Sequence, residues 1–190
     1  MCENLYYDIV DFRKIEIEIF IQIIPVSAKS QTKDWRMENK KIIYSTKTPP
    51  QTKKIGGLLA KTVLEAGSAT GATVLLLRGE LGAGKTQFVQ GFAKGLGISD
   101  TVNSPTFTIM KKYPVTRPGD FKYLYHIDCY RLDSGRDLAE LGIDGILADP
   151  TAIVAMEWPS VAENQILFKS ALEVVIDIVG ASERKITFEY

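Results

Sequence analysis

The sequence predicts an α/β domain of the P-loop class, with a central mixed sheet flanked by helices and a C-terminal β-hairpin. Three observations predict it. Gly79-Glu80-Leu81-Gly82-Ala83-Gly84-Lys85-Thr86 is a complete phosphate-binding loop, lying between the apolar run 74–77 and the helical pattern 88–93. That order of strand, glycine loop and helix is the context the motif requires. Strand patterns then alternate with helical ones through the middle of the chain, and two strand patterns around Gly180 close it.

The elements follow in order. Residues 1–36 read as an N-terminal extension, residues 37–190 as the P-loop ATPase domain, and Met37 as the expected start of the functional protein. Within the extension, 14–20 alternates as a strand does, and its two glutamates exclude the apolar centre of a signal peptide. Residues 41–44 form a short strand, and 45–50 a turn whose prolines suit the first turn of a helix. Ile55, Leu58, Leu59, Thr62 and Val63 recur at helical spacing until Gly67 and Gly71 end the helix. Gly95 and Gly97 close the helix after the P-loop. Strands are then expected at 106–110 and 123–128, with a turn at Pro118-Gly119 between them. A short helix at 137–141 precedes a buried strand at 152–156 that ends in Glu157. Residues 173–178 and 185–189 form the hairpin.

Composition bounds the function. The 190 residues are 45% hydrophobic and 24% charged, as in a globular domain, and the formal net charge is zero. A chain that grips nucleic acid unaided usually carries a basic excess. Only Lys111, Lys112, Arg117 and Lys122 make a candidate basic patch, and such a run is more often a solvated loop. Cys2 and Cys129 lack partners at metal-ligand spacing, which suits a reducing cytosol. No apolar run approaches the ~20 residues that cross a bilayer.

The P-loop carries the chemistry. Gly82 and Gly84 let the backbone turn its N–H groups toward a polyphosphate, and the helix beginning near Lys85 adds its positive end. Lys85 is expected on the β- and γ-phosphates and Thr86 on Mg²⁺. Hydrolysis also needs acids. Glu157 and Asp128 each end a strand on the edge where ligands collect in open α/β sheets. Glu157 is expected in the metal shell. Asp128 would orient the attacking water or hold the metal shell; the structural alternative is a salt bridge to Arg131. The hydroxyl-bearing loop 104–108 lies where γ-phosphate contacts occur. His126, the single histidine, reads as structural, while Trp158 fits either core or lid.

Together, the P-loop at 79–86, Ser-Pro-Thr-Phe-Thr at 104–108, Tyr-His-Ile-Asp-Cys-Tyr-Arg-Leu at 125–132, Glu-Leu-Gly at 140–142 and Met-Glu-Trp-Pro at 156–159 resemble the TsaE (YjeE) ATPases over about residues 41–190. The resemblance implies a bacterial cytoplasmic ATPase that helps make threonylcarbamoyladenosine in tRNA. It implies TsaB and TsaD as partners, with tRNA contacted only indirectly through that complex, no membrane, and ATP and Mg²⁺ as cofactors. Carried over by motif, Asp128 is the catalytic carboxylate, and Thr86 and Glu157 hold the metal. The nucleotide falls to Gly79, Leu81, Gly82, Ala83, Gly84, Lys85, Thr86, Gln87 and Thr106, with Pro49 and Arg184 near the adenine.

The chain departs from the family pattern in three places. Gln87 stands where a second Thr is usual, Asn103 precedes Ser-Pro-Thr, and residues 1–36 match nothing in the family. Two other readings use the same loop: a small-molecule kinase, or a nucleotide-dependent interaction switch. Arg117, Arg131, Arg136 and Arg184 form no dense cluster of the kind kinases place on a transferring phosphate, and no Asn-Lys-x-Asp guanine signature occurs.

Overall fold

A computed structural model describes residues 5–7, 41–68, 70–132, 136–163 and 171–189. The strand expected at 14–20 lies outside these residues. Among the described residues the sheet has eight strands, in the order β1-β2-β8-β7-β3-β6-β5-β4. They are β1 (Leu5–Tyr7), β2 (Ile42–Thr46), β3 (Thr73–Arg78), β4 (Met110–Pro114), β5 (Tyr123–Asp128), β6 (Ala152–Glu157), β7 (Ala171–Ile178) and β8 (Arg184–Glu189). The helices are α1 (Pro49–Ala66), α2 (Lys85–Gly95) and three short ones, α3 (Arg136–Glu140), α4 (Ile143–Ala148) and α5 (Ser160–Glu163).

Four strands in the centre are parallel. β3 lies between β6 and β7, and β5 lies beyond β6. Parallel strands buried on both faces read as continuous apolar runs, as β3 and β6 do. Antiparallel pairs finish both sides, β4 on β5 and the β7–β8 hairpin with β2 on β8. β1 adds a three-residue parallel edge to β2.

α1 and α2 cover one face over Leu75, Leu77, Leu124, Ile153 and Phe188. Thr48 caps α1 by accepting from the Gln51 N–H, and prolines open its first turn, which needs no donor from them. The two helices meet backbone to backbone. A Cβ at Gly91 would overlap the Lys53 carbonyl, and one at Gly56 would overlap that of Phe88. Glycine is therefore required there by space, and the contact fixes where α2 begins. The opposite face buries Val74, Leu76, Tyr125, Ile127, Val154 and Met156 under Leu138 and Ile143.

Two elements differ from the sequence expectation. Residues 106–108 are a turn and the strand starts only at Met110, after Ile109 at φ 61°. The hydroxyls of Ser104 and Thr106 are drawn to Asp128, so side-chain bonds replace a ladder in that stretch. The helix α4 has too short an apolar period to announce itself, and it is fixed by Ile143 packing under the sheet.

Candidate functional site

Because β3, β5 and β6 are parallel, their carboxyl ends share one edge. The register pairs Asp128 with Glu157 and Leu77 with Glu157, so the two acids and the start of the P-loop are neighbours.

The loop is held from several sides. Gly79 has φ 142°, and a Cβ there would overlap the Ile176 carbonyl of β7. Gly84 is the N-cap of α2 at φ 106°, with no side chain capping the helix. Uncapped first-turn N–H groups at a helix start are an anion site. Gly82 is also at positive φ, Ala83 is buried, and Leu81 stands 76% exposed at the loop tip. Arg184, at the start of β8, donates from Nε to the Ala83 carbonyl (3.0 Å) and from Nη2 to that of Gly82 (3.2 Å). Its Nη1 reaches the carbonyls of Gly180 and Glu183. The guanidinium thus pins loop carbonyls outward, a role that no local pattern around residue 184 signals. Thr52 of α1 lies 3.9 Å from where a Gly84 side chain would begin, which brings the first turn of α1, with exposed Pro49, beside the loop.

Lys85 is buried. Its Nζ donates to the carbonyls of Gly79 (2.7 Å) and Glu80 (3.0 Å) and lies 3.9 Å from the centre of the Trp158 ring. Burial pushes the ammonium below its ordinary range, while the charges of Glu157 and Asp128 oppose that shift. The two loop carbonyls occupy donors that a phosphate would take. Trp158 adopts φ 57°, donates its N–H to Leu77 O, and packs against Tyr130 at 5.1 Å between ring centres. The half-buried ring thus packs against the apolar cluster of that face and lines the site beside Lys85.

The acids are nearly fully buried, Asp128 and Glu157 each 3% exposed. Thr86 Oγ1 donates to Glu157 Oε1 at 3.0 Å. A hydroxyl that gives its hydrogen to a carboxylate keeps its lone pairs free for a cation. This oxygen-only pairing suits a hard divalent ion such as Mg²⁺. Asp128 Oδ2 accepts from Ser104 Oγ (2.9 Å) and Thr106 Oγ1 (2.6 Å), and Oδ1 accepts from the Tyr130 N–H (3.0 Å). The expected alternative partner Arg131 instead lies over the Phe107 ring, 4.5 Å from its centre. Gln87 is half-buried one residue further along α2. His126, expected as a packing residue, places Nε2 2.8 Å from Glu157 Oε1.

Other groups are set apart from this chemistry. Burial pushes the Cys129 thiol up to about 12, so it is no nucleophile. In the basic run, Lys112 stacks on Tyr123 at 3.6 Å. Among the described residues no helix is long and apolar enough to cross a membrane.

The family model described as "Threonylcarbamoyl adenosine biosynthesis protein TsaE" matches residues 46–186. The tRNA threonylcarbamoyladenosine biosynthesis protein TsaE of Bacillus subtilis is 41% identical over 149 residues, covering 78% of this chain and 85% of that protein. The protein of the same name from Treponema pallidum is 34% identical over 131 residues, 69% of this chain and 88% of its own. The crystal structure of Bacillus subtilis YdiB superposes with a TM-score of 0.62 at 37% identity, covering 80% of this chain and 87% of YdiB.

Proposed function

Because this chain belongs to the TsaE family of threonylcarbamoyladenosine biosynthesis proteins, we propose that it binds ATP with Mg²⁺ and hydrolyses it in support of that tRNA modification. Nucleotide binding follows from the family and its P-loop fold. The observation that carries the ATPase reading is the paired register of Asp128 and Glu157 at the mouth of the P-loop, one acid on Thr86 and the other free of it.

The roles follow from the contacts. The uncapped N-terminus of α2 and Lys85 take the β- and γ-phosphates, Lys85 exchanging its loop carbonyls for phosphate oxygens. Thr86 and Glu157 hold the cation, which when bound neutralises charge on the phosphate oxygens. Asp128 accepts a proton from the attacking water, whose oxygen bonds the γ-phosphorus as the bond to the leaving ADP oxygen breaks. Ser104 and Thr106 hold Asp128 until the γ-phosphate competes for their hydroxyls. Gly79, Leu81, Gly82, Ala83, Gly84, Gln87 and Thr106 complete the nucleotide site, with Pro49 and Arg184 on its adenine side.

The protein works with the tRNA modification machinery; we assign TsaB and TsaD as its direct partners, the cytoplasm as its location, and residues 37–190 as the functional unit. Zero net charge supports a contact with tRNA made only through that complex. Two of the arginines after the loop are already engaged, Arg184 on backbone carbonyls and Arg131 on Phe107, which favours hydrolysis over phosphoryl transfer to a second substrate. The test is phosphate release from ATP with no added acceptor, with and without TsaB–TsaD. Stimulated release is expected. No release in either case, with ATP still bound, would leave the interaction switch; release only with an added acceptor would make it a kinase.

A further inference from the structure

His126 is fully buried, and among the described residues its Nδ1 has no hydrogen-bond partner. Burying an imidazole costs free energy unless its polar atoms are satisfied. The Nε2 contact with Glu157 at 2.8 Å is what offsets that cost. Leu124, His126 and Asp128 alternate onto the face that α2 covers, as do Ala155 and Glu157 of β6. On the β6 side the residue paired with His126 is Ala155, and its small side chain leaves the imidazole room to reach the acid two residues on. Glu157 Oε1 therefore meets two groups at once, the Thr86 hydroxyl of α2, which donates to it, and His126 Nε2 of β5.

We propose that His126 is a positioning residue: its Nε2–H fixes the Glu157 carboxylate so that Glu157 in turn aims the Thr86 hydroxyl, setting the affinity for the cation that accompanies the nucleotide. This inference rests on the nucleotide and cation reading above. A hydrogen on Nε2 meets an acceptor, whereas one on Nδ1 would be a buried donor with none. Hydrogen bonds to metal-ligating groups from residues behind them are worth about 10- to 100-fold in metal affinity.

The chain has one histidine, so imidazole ¹⁵N signals of the metal-free protein are unambiguous. A hydrogen on Nε2 is expected; a hydrogen on Nδ1 alone overturns the proposal. The second measurement is calorimetry with ADP, in Mg²⁺ and in EDTA. H126Q keeps a donor at similar reach, and H126M has the same length without one. H126M is expected to bind ADP in EDTA as the natural protein does but to lose about tenfold or more of the gain from Mg²⁺. H126Q is expected to restore most of it. If H126M fails to fold, H126N replaces it, since its amide stops short of Glu157, and the same loss is expected. A donorless variant that keeps the full gain, or one whose two affinities fall together, overturns the role. Absence of any Mg²⁺ gain in the natural protein would instead bring down the cation reading itself.

Discussion

The P-loop and loop 103–109 serve the same pair of acids but are held in different ways. The P-loop is fixed by backbone packing. Gly79 abuts the Ile176 carbonyl, Arg184 grips two loop carbonyls, and α2 is locked to α1 through Gly56 and Gly91. Loop 103–109 is tied to Asp128 by two hydroxyls on one carboxylate oxygen and, at its end, by the Asp128 N–H on the Ile109 carbonyl (2.9 Å), and Phe107 between them is 85% exposed. Backbone packing resists any rearrangement, because interiors are close-packed and lose contact energy with small shifts. Bonds to a single carboxylate oxygen can be traded for bonds to another anion at little net cost. The site thus pairs a closely packed cradle with an exchangeable latch, and the latch is tied to the acid assigned to chemistry.

The largest expected effect is on the cradle. Gly91→Val would drive a side chain into the Lys53 carbonyl and should cost roughly 3 kcal/mol or more of unfolding free energy in a denaturant titration. A loss under about 1 kcal/mol would show that α1 and α2 can separate freely, and the contrast between the loops would collapse. Next comes Lys85→Ala. It removes a charge-assisted phosphate contact worth about 2–3 kcal/mol, so calorimetry should find ATP bound tens to hundreds of times more weakly.

The acids separate the two regions functionally. Asp128→Asn should lower ATP turnover on the order of 10²-fold while ATP affinity stays within a few-fold. Glu157→Gln should weaken binding only when Mg²⁺ is present. Wild-type turnover in both variants would remove the two-acid site. Thr106→Val takes one latch bond from Asp128 and keeps the shape. It should change stability by about 1 kcal/mol or less, weaken ATP by a few-fold through the lost phosphate contact, and alter turnover severalfold. Destabilisation as great as that of Gly91→Val would mean the latch is as structural as the cradle. The smallest effect is expected from removing residues 1–36. Among the described residues of that segment, β1 pairs three residues at the far edge of the sheet, so melting temperature and ATP affinity should hold. A large drop in melting temperature would instead make that edge part of the domain.

Much of the fold was legible from local pattern. β5 has the bounds its apolar run and terminal Asp128 predict, and β6, read over 152–156, extends to the terminal Glu157. The hairpin around Gly180 also forms as expected. The strand expected at 106–110 did not form in full, because β-prone residues there are overruled by a carboxylate more than twenty positions away.

The P-loop, its flanking strand and helix, and the two strand-terminal acids follow from residue order. Glycines at fixed spacing and apolar runs of fixed period act over a few residues, so they can be read along the chain. The partners of those groups cannot. Strand register brought His126 to Glu157, the closing hairpin carried Arg184 to the loop carbonyls, and the turn after β6 set Trp158 beneath Lys85. Each of these contacts joins residues 31 to 102 positions apart, and a hydrogen bond depends on ångström distances that only the assembled sheet creates.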